Sequence, residues 1–373
     1  MRRAYRILPC YTGDVSGVCS ALYELGGMVV IHDPSGCNST YNTHDETRWY
    51  DQDSMIFISG LSEMDAILGA DEKLVAEITE TALDLQPKFI ALVSSPVPYM
   101  NGTDFPALAR LIQNRTGIDC FFVPTNGMHD YVAGAGRAFL ELARRYVKVS
   151  DRVIPKSVSI LGLTPLDFAA EGTAATLKAK LEEWGYSILS CWAMGSGLEE
   201  LALAGDAQVN LVISATALDA AKELHRRFHT PYVAGIPLRR GFDALKIALE
   251  QAIKTGENQL PCTIRPNGGA EVTLIGEPVT MGSIGAAIGA AHGTNVRVLC
   301  PVEADKALLA PEDRMLRGEE ELEAALQGAE IVIADPMYRS ICPETARFYD
   351  LPHQALSGRS GWSTMRNLIT LEI

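Results

Sequence analysis

The residues best suited to chemistry in this chain are cysteines set in loops. One opens Cys10-Tyr-Thr-Gly-Asp-Val-Ser-Gly-Val-Cys19-Ser-Ala-Leu, and another follows Met28-Val-Val-Ile-His32-Asp-Pro-Ser-Gly36 as Cys37. Cys10 precedes a helical pattern and Cys37 follows a strand pattern in a glycine turn, so both thiols can point out of a domain edge. Nothing in the chain marks an oxidising compartment, and paired loop thiols then read as metal or cluster ligands rather than as a disulfide. Thiolates are the ligands that iron–sulfur clusters select. Cys10 and Cys37 are therefore predicted to hold a cluster of iron and sulfur. Cys19 lies about one helical turn past Asp14. It either joins them as a third ligand, which permits a larger cluster, or packs as a buried thiol.

The segment after Cys37, Asn38-Ser-Thr-Tyr-Asn-Thr-His44-Asp45-Glu46-Thr-Arg48-Trp49, is dense in groups that donate, accept or stack. A reductase needs protons beside its electrons, and a histidine flanked by carboxylates can be poised to deliver them. His44, Asp45, Glu46 and Arg48 are the candidate substrate-site residues. His129, in Thr125-Asn-Gly-Met-His-Asp130, opens a helix and is a further candidate. Of the remaining cysteines, Cys120, Cys191 and Cys300 lie in or end apolar runs and read as small buried hydrophobes. Cys262 and Cys342 sit beside prolines with no CxxC partner and are left unassigned.

Composition limits what surrounds this chemistry. With 47% hydrophobic content over 373 residues, the chain can bury two or three cores of ordinary size. No apolar run approaches the roughly 20 residues that span a bilayer, and Met1-Arg-Arg-Ala-Tyr lacks the apolar stretch of a signal peptide, so a cytoplasmic protein is expected. A formal net charge of −14 argues against a nucleic-acid surface, which needs a basic stripe.

The elements that position these residues alternate. Short β-rich apolar runs are predicted as strands over 28–33, 89–94, 120–123, 157–162, 187–191, 209–214, 271–276, 296–300 and 330–334. Amphipathic helices are predicted between them over 74–85, 105–115, 131–146, 173–184, 217–228, 242–253 and 279–291. Asp104 and Asp130 are expected to cap helices, and Asp14 to cap the helix after Cys10. Such alternation gives stacked βαβ units with parallel sheets, an α/β fold. Composition shifts near 150–155 and 258–269 divide the chain into three Rossmann-like domains, 1–150, 151–262 and 263–373. Gly282, Gly285, Gly289 and Gly293 fall within a predicted helix, where they allow close packing; they are not the G-x-G-x-x-G of a dinucleotide turn. The sequence carries no P-loop, so any ATP must be bound by a partner.

The pairing Cys-x26-Cys, with the second member in His-Asp-Pro-Ser-Gly-Cys37, resembles the nitrogenase component 1 superfamily. So does Ser59-Gly-Leu-Ser-Glu63-Met-Asp-Ala-Ile-Leu-Gly69-Ala-Asp-Glu-Lys73-Leu, and so does the strand Val209-Asn-Leu-Val-Ile-Ser214. The resemblance implies three Rossmann-like domains around a central cleft. It also implies a separate ATP-binding iron protein that passes low-potential electrons through an interface cluster to a substrate in that cleft, a tetrapyrrole in some relatives. The family's third cluster cysteine falls at Ser95 here. A C2 homodimer, or a heteromer with a paralogue, then completes the ligand set, and two chains giving Cys10 and Cys37 hold one [4Fe-4S] cluster. The family's cysteine for the large molybdenum–iron cofactor falls at Ser214, and its histidine partner has no clear match, His353 being the nearest candidate, so dinitrogen reduction is not expected. The alternative role the resemblance implies is a scaffold on which a metallocluster or cofactor precursor is assembled.

Overall fold

Each predicted apolar run becomes a parallel strand in the computed structural model, which describes residues 5–36, 38, 45–148, 152–238, 242–265, 269 and 271–372. The first sheet holds β1 (Met28–His32), β2 (Met55–Ile58), β3 (Ile90–Ser94) and β4 (Cys120–Val123), in the order β2-β1-β3-β4. The second holds β5 (Ile154–Leu161), β6 (Ser187–Cys191), β7 (Ala207–Val212) and β8 (Tyr232–Ala234), in the order β6-β5-β7-β8. The third holds β9 (Val272–Ile275), β10 (Val296–Cys300), β11 (Arg314–Met315), β12 (Ile331–Ala334) and β13 (Arg347–Asp350), in the order β11-β10-β9-β12-β13. Every strand pair in the three sheets is parallel. The fold is thus α/β with three parallel sheets, as the alternation predicts.

The helices of eight residues or more are α1 (Asp14–Leu22), α2 (Asp71–Leu85), α3 (Phe105–Thr116), α4 (Tyr131–Arg145), α5 (Thr173–Glu183), α6 (Leu218–Phe228), α7 (Phe242–Thr255), α8 (Pro278–His292) and α9 (Glu319–Leu326). Strand alternation sorts the first sheet's side chains between its two faces. Met28, Val30, Ile90 and Leu92 pack with Leu74, Ile78, Leu108 and Ile112 of α2 and α3. Val29, Ile31, Ala91 and Val93 face the opposite way, into a core shared with α1, α4, α6 and the third sheet. Asp104 and Asp130 cap their helices as expected, accepting from the Ala107 and Val132 amides at 3.0 Å each. Asp14 does not: the cap position belongs to Gly13, and Asp14 is the first helical residue. Its buried carboxylate accepts instead from the Asn126 and Gly127 amides, at 3.0 and 2.9 Å, and so fixes the loop that leads into α4.

Two glycines set the distance between α1 and α4. A Cβ on Gly134 would overlap the Asp14 carbonyl, and one on Gly17 would overlap the Tyr131 carbonyl. The backbones of the two helices therefore touch, which only residues without side chains allow. The glycines of α8 act similarly, since a Cβ on Gly282 would strike the Cys262 carbonyl. Among the described residues, no helix is long and apolar enough to cross a membrane.

Candidate functional site

Cys10 lies on the loop that enters α1, and that loop is stitched to the far end of the chain. The Tyr11 amide donates to the Leu356 carbonyl at 3.2 Å, and the Thr12 amide to the Ala355 carbonyl at 3.0 Å. On its other side the Asp14 amide donates to the His129 carbonyl and the Tyr131 amide to the Thr12 carbonyl, each at 3.0 Å. Cys10 is half-buried, with Sγ 3.5 Å from both the Thr12 and the Ala355 carbonyl oxygens. Burial above all, and then the Asp130 charge, pushes its thiol well above the ordinary value. Without a cation to draw off the proton, Cys10 stays a thiol; bound metal would convert it to a thiolate ligand.

Cys37 and His44 lie outside the described residues, but their flanks are well placed. β1 and β3 are neighbours, so the turn after His32 and the turn after Ser94 emerge together at the carboxyl edge of the sheet, where α/β folds bind ligands. Asp33 Oδ2 accepts from the Ser35 amide at 3.0 Å, and Ser35 has φ of 86°, the turn geometry that delivers the chain to Cys37. Ser95, the position of the family's third cysteine, is fully buried, and its Oγ has no hydrogen-bond partner among the described residues. Tyr11, Gly13, Asp14, Val15, Ser16, Asn38, Pro96 and Gly127 line one cavity of about 270 Å³. The residue after Cys10 and the residue after Cys37 thus share a cavity at the start of α1.

The other predicted site residues divide. Asp45 belongs with this cavity: its buried carboxylate accepts from the Tyr11 hydroxyl at 3.0 Å, and its carbonyl from Gln354 Nε2 at 2.9 Å. Glu46 and Arg48 are buried and paired with each other. Arg48 is buried, with Nε 2.8 Å from Glu46 Oε1 and Nη2 3.0 Å from Glu46 Oε2. Nη1 reaches Glu24 Oε1 at 3.1 Å and the Ala193 carbonyl at 2.9 Å, and Nη2 reaches the Ser20 carbonyl at 2.9 Å. With its donors taken, and its guanidinium 4.5 Å from the Tyr23 ring centroid, Arg48 ties the first sheet's region to the second's. His129 is about one-third exposed, and its Nδ1 lies 2.8 Å from Glu303 Oε2, so its side chain turns towards the third sheet's loops. Cys19 sits inside α1 in the shared core, 3% exposed, where burial raises its thiol strongly. That is the packing alternative, and it places no described ligand beside Cys10. Among the described residues, no group of three or more histidine, cysteine or acidic side chains has the arrangement of a metal site.

Sequence reading missed the polar junction at the molecule's centre. Asp167, whose side chain is fully buried, accepts from the Tyr131 hydroxyl at 2.5 Å and the Ser214 hydroxyl at 2.6 Å. His353 Nε2 stands 3.1 Å from the same carboxylate, although neither ring nitrogen makes a well-directed hydrogen bond. Ser214 and His353, the two positions tied by resemblance to the large cofactor, therefore converge on one protein carboxylate. Only Glu-Pro-Val-Thr, an acidic residue before proline at the start of α8, hinted at a further member of this junction, Glu277.

Comparison with known proteins accords with this geometry. The family model for nitrogenase component 1 type oxidoreductases matches residues 16–255. The nitrogenase iron-molybdenum cofactor biosynthesis protein NifE of Clostridium pasteurianum is 26% identical over 243 residues, covering 60% of this chain and 52% of that protein. A chain of the light-independent protochlorophyllide reductase of Cereibacter sphaeroides is 28% identical over 144 residues, covering 36% of this chain and 28% of that one. The chain thus matches about half the length of the first relative and less of the second. The solved structure of nitrogenase Cp1 at pH 6.5 superposes with a TM-score of 0.70 at 16% identity, over 98% of this chain and 90% of that one. Since the matched model spans well over half of the sequence, the chain belongs to the nitrogenase component 1 type oxidoreductase family.

Proposed function

We propose that this chain is the catalytic component of a nitrogenase-like, ATP-dependent reductase that works in the cytoplasm. A separate ATP-binding iron protein donates low-potential electrons, and the substrate, with tetrapyrroles among the candidates, occupies a cleft between the domains. Cys10 and Cys37 hold an iron–sulfur cluster, and a C2 homodimer brings two such pairs together on one [4Fe-4S] cluster. The observation that supports this reading is the cavity at the start of α1, lined by the neighbours of both cysteines. Cys10 offers a half-buried thiol on a loop fixed from both sides, the kind of preorganised donor a cluster needs. When bound, the cluster supplies one-electron transfer. Around it, Tyr11 and Asp45 hold a proton in the hydrogen bond between them, and Pro96 and Gly127 wall the cavity.

Iron and sulfide analysis with EPR on anaerobically purified protein tests this. About two irons per chain are expected, from four irons shared by two chains, with loss in Cys10→Ala and in Cys37→Ala. Protein with no iron overturns the electron-transfer reading. Four or more irons per chain return Cys19 to the ligand set.

The similarity to NifE proteins favours a second reading, a scaffold for assembly of a metallocluster or cofactor precursor. Turnover with an iron protein, ATP and dithionite separates the two. Sustained ATP-coupled reduction is expected of the reductase, whereas a scaffold accepts clusters without turnover.

A further inference from the structure

We propose that two hydroxyls in series, those of Thr216 and Ser214, carry protons from a cavity between the three sheets to the buried Asp167 carboxylate. The contacts alone carry the path; its use in catalysis rests on the reductase reading. Asp167 follows β5, Ser214 and Thr216 follow β7, Tyr131 opens α4 and His353 follows β13. Thr216 Oγ1 donates to Ser214 Oγ at 2.9 Å, and Ser214 Oγ donates to Asp167 Oδ2 at 2.6 Å. Both hydroxyls thus aim their protons inward, towards the carboxylate. At the other oxygen of Asp167, the Tyr131 hydroxyl donates at 2.5 Å and His353 Nε2 stands 3.1 Å away. All five residues are buried.

Thr216 is the outer end of the chain. With Arg137, Leu140, Asp219, Glu303 and Arg317 it lines a cavity of about 290 Å³, set between α4, the start of α6 and the loop after β10. Segments from all three sheets wall this cavity, and its charged groups make it a place that water enters.

The transfer balances. A proton from water in the cavity joins Thr216 Oγ1 as that hydroxyl's own proton passes to Ser214 Oγ, and the Ser214 proton passes to Asp167 Oδ2. Each hydroxyl ends with one proton, the added one is on Asp167, and the hydrogen bonds are reversed, Asp167 donating to Ser214 and Ser214 to Thr216. Ser214 Oγ keeps its other acceptor site for the Thr216 amide, 3.2 Å away, so no group loses a partner. Rotation of the two hydroxyls resets the chain once the carboxyl has released its proton. A reductase consumes protons together with electrons, and a carboxyl loaded at the centre of the fold is a source of them.

Exchange of the Ser214 hydroxyl proton into deuterium oxide, followed by NMR on the full chain with and without iron, reads the path without turnover. Thr216→Val is expected to slow that exchange by at least about tenfold while amide exchange in α4 and α6 is unchanged, and Thr216→Ser to restore it. An unchanged rate in Thr216→Val overturns the path. If Thr216→Val does not fold, Thr216→Ala decides in the same way, and an unchanged rate there shows that the Thr216 hydroxyl carries nothing. With an iron protein, ATP and dithionite, Thr216→Val is also expected to lower kcat by about a hundredfold with KM and iron content held. Wild-type kcat beside slowed exchange overturns the catalytic role of the path. No turnover in the wild type is a failure of the reductase reading, and the exchange result still decides the path.

Discussion

Arg48→Met is expected to lower stability by about 3–5 kcal/mol, because it removes the cation held between two shielded carboxylates and leaves them uncompensated. The side chains of Arg48, Glu46 and Glu24 are 7%, 6% and 13% exposed, so water cannot take over the lost contacts. The Ser20 and Ala193 carbonyls lose their donors as well. Methionine keeps much of the volume and apolar stem of arginine, so the loss reads charge and hydrogen bonding rather than a cavity. The measurement is the urea midpoint by circular dichroism. Adding Glu46→Gln to the Arg48→Met chain should recover part of the loss, since the remaining buried charge is then neutralised. If Arg48→Met changes stability by under about 0.5 kcal/mol, as an exposed pair would, the cluster is wet and its charged groups are open to solvent and ligands.

Gly134→Ala carries the second large effect. The added methyl would occupy the space of the Asp14 carbonyl, which is backbone and cannot rotate away. α1 must then shift from α4, and the expected cost is about 3 kcal/mol or more, at the upper end of overpacking substitutions. The displacement propagates to function, because α1 carries Asp14 at its start and the Cys10 loop just before it. Gly134→Ala should therefore lower both the urea midpoint and the iron content of anaerobically purified protein. A stable variant with wild-type iron would show that the two helices are not in backbone contact. By contrast, Gly318→Ala, where a Cβ would meet no neighbour within 4 Å and φ is −125°, should leave the iron content intact.

How much of this was legible in the sequence depended on where each strand sits in its sheet. Every predicted strand lies within one of the three sheets, its ends shifted by a few residues at most. The four strands that went unpredicted, β2, β8, β11 and β13, are all edge strands. An interior strand of a parallel sheet is buried on both faces and reads as a continuous apolar run. β13 is Arg-Phe-Tyr-Asp, with both ends charged, and β11 has only two residues, so neither leaves such a run. The cap of α4 was legible because Asp130 sits just before a strongly periodic helix. The role of Asp14 was not, because its partners Asn126 and Gly127 lie more than a hundred residues away. The buried pairing of Arg48 was illegible for the same reason. Glu46 is a neighbour in sequence, but the Glu24 and Ala193 contacts that close off its donors are set by tertiary packing alone. The Asp167 junction draws residues from five separate segments, and no periodicity or local motif reports such a meeting.

The stitching of residues 11 and 12 to residues 355 and 356 also bears on the order of events in synthesis. The Cys10 loop leaves the ribosome some three hundred and forty residues ahead of its partner strip. At about 5–20 residues per second, that interval is roughly 20–70 s. Throughout it the thiol is without the Ala355 carbonyl that lies beside it in the finished fold, and nascent Cys10 should alkylate far faster than the same residue after release. The loop is thus completed long after it is made, so loading of any metal at this position belongs after the partner strip has emerged rather than before it.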